Sequence, residues 1–125
     1  MTWHLNSDRP IFLQIVEKIQ SDIVAGHYAP GDKLPSVREL ASEAAVNPNT
    51  IQKAYAELEQ TGLIFSKRTC GRFIAEDKEM IKQTKKQLAE KIIQDFLQNM
   101  KQLGFQLEET LELAKKSGME VRNGD

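Results

Sequence analysis

Leu34-Pro35-Ser36-Val37-Arg38-Glu39-Leu40-Ala41, followed closely by Val46-Asn47-Pro48-Asn49-Thr50-Ile51, reads as two helix starts in quick succession. Ser36 with Glu39 three residues on fits a reciprocal cap: the serine oxygen covers the N3 amide, and the glutamate returns to the serine amide. Asn47 offers a side-chain oxygen to the next helix. Pro48 behind it has the φ of a first helical residue and no amide to leave unsatisfied. Two short helices with a tight connection form a helix-turn-helix, whose second member can enter the DNA major groove by its N-terminal residues.

The face pattern of that second helix agrees. Over 48–61, Ile51, Ala54, Tyr55 and Leu58 recur at intervals of three and four, which makes one apolar face and leaves Asn49, Gln52, Lys53, Ala56 and Gln60 outward. Glu57 and Glu59, which would repel phosphate, come only in the later turns. The N-terminal end is therefore the end expected to face DNA. Gln52 and Asn49 are the expected base readers, because an amide pairs bidentately with adenine, and Lys53 is expected on phosphate. Arg38 stands at a helix start, where the dipole disfavours a cation, and this points to use rather than to stability.

Upstream, Phe12, Ile15, Val16, Ile19 and Ile23 give an amphipathic helix that opens at Pro10 and stops at Gly26. Pro30-Gly31-Asp32 turns the chain into the helix expected over 37–45, which buries Val37, Leu40 and Ala41. Phe12 and Tyr55 are read as core. Downstream, Leu63-Ile64-Phe65-Ser66-Lys67 and Arg72-Phe73-Ile74 flank Arg68-Thr69-Cys70-Gly71, a β-hairpin pattern. A hairpin directly after a helix-turn-helix is a wing. Lys67, Arg68 and Arg72 are placed at its tip, for phosphates or an adjacent minor groove, although a basic edge hairpin also stays soluble by its charge.

From Asp77 the texture changes to a long polar helix without glycine or proline until Gly104. Leu88, Ala89, Ile92, Ile93, Phe96, Leu97, Met100 and Leu103 occupy about half its circumference, wider than the ~100° stripe that packing on one side requires. A last helix over 107–116, with Leu111 and Ala114 on one side, is expected to fold back over part of that face, and 121–125 to fray. The remainder, Leu88, Ile92, Ile93, Phe96, Met100 and Leu103, is the candidate dimer interface, with intramolecular packing as the other reading. The fold class is thus mainly α with a small β-hairpin (α+β): a winged helix-turn-helix domain over 1–76 and a two-helix dimerisation extension over 77–125. Whether the last helix crosses to a partner is open.

Bulk properties bound the function. The chain has 125 residues, 40% hydrophobic and 28% charged, as in ordinary soluble domains. No apolar run is long enough for a membrane span and the first residues do not resemble a signal peptide, so a cytoplasmic location without membrane partners is expected. One cysteine and two distant histidines, His4 and His27, make neither a disulfide nor a zinc pattern, so no metal or other cofactor is expected. Cys70, at an exposed turn among basic residues, is either incidental or redox-active. The net charge of −1 is no footprint of a DNA binder, and 1–76 carries 8 basic against 9 acidic residues. Phosphate attraction must come from local clustering.

The residues Pro10-Ile11-Phe12-x-Gln14-Ile15, Gly26-x-Tyr28-x-Pro30-Gly31-Asp32-x-Leu34-Pro35-Ser36-Val37-Arg38-Glu39-Leu40-Ala41 and Val46-Asn47-Pro48-Asn49-Thr50-Ile51-x-Lys53-Ala54-Tyr55-x-x-Leu58 resemble the DNA-binding domain of GntR-family bacterial transcription regulators. The short helical extension resembles that of the YtrA-like subfamily. The resemblance implies a sequence-specific, homodimeric DNA-binding repressor of a near-palindromic operator, with ABC transporter genes as frequent targets in that subfamily. It also implies DNA contacts from Arg38, from Asn47, Asn49, Thr50 and Gln52, and from the wing tip around Gly71. The family's Gly-x-Gly wing turn appears here as Thr69-Cys70-Gly71, with one glycine instead of two. A small-molecule effector would have to bind between helices or at the dimer interface. The alternative is a winged-helix protein-interaction module with weak or no DNA binding. No serine–histidine–acid grouping, metal cluster or phosphate loop supports an enzyme.

Overall fold

A computed structural model describes the backbone of residues 3–124 and the side chains of residues 3–122. In order, the elements are α1 (Ile11–Val24), α2 (Val37–Ala44), α3 (Pro48–Thr61), β1 (Ile64–Lys67), β2 (Gly71–Ile74), α4 (Lys78–Gln102) and α5 (Leu107–Gly124). By compactness the chain divides between Lys85 and Lys86, inside α4. The composition changes earlier, at Asp77. Met80 and Ile81 in the first turns of α4 still pack against the core of the first unit, which carries the division past the change in texture.

In the first unit α3 is the central element, with α1, α2 and β1 all packed against it. Ile15, Ile19 and Ile23 of α1, Leu40 and Ala41 of α2, and Ile51, Ala54, Tyr55 and Leu58 of α3 form the core with Leu63, Ile64 and Ile74. Burial of each large apolar side chain there stabilises the fold by roughly 1.5–3 kcal/mol. Gln14, buried near the start of α1, holds the preceding arm: its amide nitrogen donates to the carbonyls of Asn6 (2.7 Å) and Arg9 (3.0 Å), and its oxygen accepts from the Asn6 amide (2.8 Å).

The hairpin pairs Ile64 with Ile74, Phe65 with Phe73, Ser66 with Arg72 and Lys67 with Gly71. A third segment lines its inner edge. The Gly31 amide donates to the Ile74 carbonyl (3.0 Å), Ile74 to Asp32 (2.8 Å) and Leu34 to Arg72 (2.8 Å). A two-stranded ribbon is marginal by itself, so this edge and the packing on α3 give it its place.

The second unit contains the later part of α4, and α5. Gly104, at φ 94°, closes α4: its amide donates to Lys101 (3.0 Å) and the Phe105 amide to Met100 (3.1 Å), a Schellman ending. Two expectations change here. The last helix is not confined to 107–116 but runs to Gly124, so residues 121–124 are helical; Asp125 lies outside the described residues. It also does not cover the apolar stripe. Its buried position is Thr110, whereas Leu111 and Ala114 are exposed, and no residue of α4 is buried.

Candidate nucleic-acid interface

Both helix starts carry their caps. The Glu39 amide donates to Ser36 Oγ (3.1 Å) and the Ser36 amide to Glu39 Oε1 (3.0 Å), which completes the capping box. The hydrogen bond from the Ser36 backbone, aided by its hydroxyl, holds the Glu39 carboxyl below the usual carboxylate range. Arg38, on the second residue of α2, is exposed and has no ion-pair partner among the described residues. At the other end of α2, Ala45 adopts the left-handed conformation (φ 56°, ψ 48°), and the Val46 amide returns to the Ala41 carbonyl (3.0 Å). That reversal aims the chain into α3.

Asn47 Oδ1 accepts from the Asn49 amide (2.8 Å), so the oxygen is taken by the cap and the side-chain NH2 is left as the group free to donate outward. Asn47, Asn49, Gln52 and Lys53 are exposed and Thr50 is half-buried, while Ile51, Ala54, Tyr55 and Leu58 on the opposite face are buried. The structure thus gathers the expected recognition residues around one capped helix start. The Tyr55 hydroxyl donates to the Pro35 carbonyl (2.7 Å), tying α3 to the residue before the α2 cap. Burial pushes its phenol pKa well up, so it remains a donor.

The spacing of Phe12 assigns it to the core and gives no link to Lys53. Phe12 is half-buried, and Lys53 Nζ stands 4.0 Å from its ring centroid. An open notch of about 320 Å³ lies there between Ile11, Phe12, Asn49, Thr50 and Lys53. A cation over an aromatic face keeps its charge available while losing some freedom. Nothing in the periodicity separates this role from core packing.

The wing differs from expectation in one residue. Strand side chains alternate, so the register puts Ile64, Ser66, Arg72 and Ile74 on the face toward α3 and Phe65, Lys67, Gly71 and Phe73 on the other. Arg72 is therefore not a tip residue. Its Nε donates to Glu59 Oε1 (2.7 Å), its guanidinium carbon lies 5.2 Å from the Tyr55 ring centroid, and its side chain is only 23% exposed. Ser66 Oγ donates to the same Glu59 oxygen (2.8 Å). Burial pushes the Glu59 carboxyl up, but the hydrogen bonds from Arg72 and Ser66 and the charge of Arg72 outweigh it and hold it below its ordinary value.

Lys67 crosses the outer face with Nζ 4.8 Å from the Phe73 ring centroid, and Phe65 stacks on Phe73 at 5.9 Å. Arg68 is exposed at the tip, with no ion-pair partner among the described residues. The tip turns through Thr69 at φ 62°, in the position where a glycine would be relaxed. Gly71 has φ 107°, which calls for glycine; a Cβ there would sit 3.1 Å from Lys33 Cε, the movable end of an exposed side chain.

The model of the bacterial regulatory proteins of the gntR family matches residues 12–74, the span from α1 through the wing. A HTH-type transcriptional regulator of Bacillus subtilis, YhcF, is 45% identical over 106 residues, covering 85% of this chain and 88% of its own. The transcriptional repressor YtrA of the same organism is 36% identical over 119 residues, 94% of this chain and 92% of its own. A GntR family transcriptional regulator from Listeria monocytogenes superposes with a TM-score of 0.86 at 44% identity, over 90% of this chain and 98% of that one. The DNA-binding domain of AraR, solved in complex with operator ORE1, superposes with a TM-score of 0.52 at 34% identity, over 60% of this chain and 94% of that one. The capped helix pair, the wing beside it and these likenesses make the chain a DNA-binding transcription regulator of the GntR family, of the YtrA-like kind.

Proposed function

We propose that this regulator is a homodimeric repressor of a near-palindromic operator. The observation that carries the reading is the start of α3: a capped helix end that exposes Asn47, Asn49, Gln52 and Lys53 while its other face is wholly committed to the core. In this reading Gln52 and Asn49 reach base edges, and Asn47 and Thr50 serve beside them. Arg38 and Lys53 meet phosphate, and Lys67, Arg68 and Gly71 approach the flanking minor groove. Four free cations per protomer gather on these elements, which answers the objection of a net charge of −1. The protein-interaction alternative draws on the near-neutral charge and on the apolar face of the C-terminal helices, which a different partner could cover.

Residues 1–76 serve as the DNA-binding domain and 77–125 as the dimerisation extension. Dimerisation is supported by the uncovered stripe of α4. Ile92 is 69% exposed, Ile93 53%, Phe96 39% and Leu103 73%, with Leu88 and Met100 half-buried beside them. Such a run of apolar side chains in water is costly, and a second copy of the same stripe would cover it about a two-fold axis. Any effector would have the open cleft at the elbow, about 440 Å³ between Leu97, Lys101, Phe105, Leu107 and Thr110, as its place within a protomer. The protein acts without cofactor or catalysis, in the cytoplasm where chromosomal DNA is reached; among the described residues no helix is long and apolar enough to cross a membrane.

Light scattering, together with titration of DNA from upstream of its own gene, tests the reading. It requires a mass of twice 14.2 kDa and retarded DNA whose affinity falls with salt. A folded monomer, or affinity indifferent to salt, contradicts it.

A further inference from the structure

Glu59 is an anomaly on a DNA-reading helix, since a carboxylate on α3 repels the polyanion the helix approaches. Its surroundings explain it. A single oxygen, Oε1, accepts from Ser66 of β1 (2.8 Å) and from Arg72 of β2 (2.7 Å). Arg72 in turn lies over Tyr55 (5.2 Å), whose hydroxyl is anchored to Pro35 (2.7 Å) ahead of α2. Both wing strands are thus tied to the recognition helix, and through it to the helix before it. Along its β2 edge the ribbon is held by backbone bonds to residues 31–34.

We propose that Glu59 and Arg72 are positioning residues that clamp the wing to α3, so that recognition helix and wing dock on DNA as one rigid body. Arg72 in this account touches no phosphate: its charge is used inside the protein. The clamp fixes where the Arg68 tip stands relative to Gln52 and Asn49, so that ordering the wing does not have to be done at binding. Charge-assisted hydrogen bonds suit the task because they fix direction as well as distance. The inference rests on the reading that α3 and the wing face DNA together.

The test uses the sign of one substitution. Glu59→Gln keeps the shape and removes the charge. Were Arg72 a phosphate contact with Glu59 as its incidental neighbour, Glu59→Gln would free it and remove a repulsive charge, and DNA would be bound as tightly or more tightly. The clamp predicts weakening of about three- to tenfold, the scale of losing one partly exposed charge-assisted bond. Arg72→Gln should weaken binding similarly without changing the salt slope, and the double variant should be no worse than either single one. In hydroxyl-radical footprints at saturating protein, Glu59→Gln should lose protection beside the wing while protection by α3 remains. Ser66→Ala, which spares the ion pair, should move the same way by less.

Unchanged or tighter binding by folded Glu59→Gln, or a salt slope lowered by about one in Arg72→Gln, overturns the clamp. A wild-type footprint with no protection beside the α3 contacts overturns instead the docking mode on which it depends.

Discussion

The same substitution at two adjacent alanines should change stability in opposite directions. Ala44 is the last residue of α2 and is buried, whereas Ala45 follows it, exposed, at φ 56° and ψ 48°. A left-handed backbone costs an L-residue about 1–2 kcal/mol and costs glycine almost nothing. Glycine returns part of this gain through its larger freedom in the unfolded chain, about 0.5–1 kcal/mol. Ala45→Gly should therefore raise stability by about 0.5–1 kcal/mol, or roughly 3–6 °C in Tm for a unit of this size. Ala44→Gly keeps a helical backbone, loses a buried methyl and should lower stability by about 1–2 kcal/mol. Thermal melts followed by circular dichroism, with guanidinium titrations on both variants, measure the pair. DNA affinity of Ala45→Gly should stay at the wild-type level, because Ala45 belongs to the turn and not to the proposed reading face. Loss of stability in both variants would refute the left-handed reversal, and with it the geometry that aims α3.

Further expectations concern binding, assembly and pH. Arg38→Ala, which should fold normally because its side chain is exposed, should weaken operator binding by about 1–3 kcal/mol in a fluorescence anisotropy titration; unchanged affinity would remove Arg38 from the contacts. Ile92→Glu with Phe96→Glu should give monomers by light scattering, and a persisting dimer would move the interface elsewhere. Glu59 has a folded pKa below its ordinary 4.5, so its tie to Arg72 contributes fully above that pH and is lost as pH falls through the lower folded value. The stability difference between wild type and Glu59→Gln should therefore be constant from pH 7 to about 5 and shrink as pH falls below 4.5 toward the lower folded value. A difference that grows on acidification would mean that the carboxyl is not held ionised.

The helix pair was legible because its signals are local and redundant: Ser36 with Glu39 and Asn47 with Pro48 mark two starts, and Ile51, Ala54, Tyr55 and Leu58 mark one face. The ends of α3 at Pro48 and Thr61 follow from the cap and from Gly62. By sequence distance from the turn Arg72 reads as a tip charge, whereas strand alternation puts it on the side of Ile64 and Ile74. The role of Glu59 follows from that register and from nothing closer in sequence. The cation over Phe12 joins residues 41 positions apart, and no local pattern announces such a contact. In α5 the apolar spacing of Leu111 and Ala114 was right for a buried face, but within one protomer Thr110 takes the inner position, and the leucines stay in water.

The most direct test of the central claim is hydroxyl-radical footprinting of the DNA upstream of the protein's own gene, repeated across a salt series. Two protected half-sites related by a two-fold axis and about one helical turn or a multiple apart are predicted. If Arg38, Lys53, Lys67 and Arg68 of both protomers each neutralise one phosphate, log affinity should fall with log salt at a slope of about −7. Absence of two-fold symmetry in the protected site, or a slope near zero with folded protein, would contradict the account.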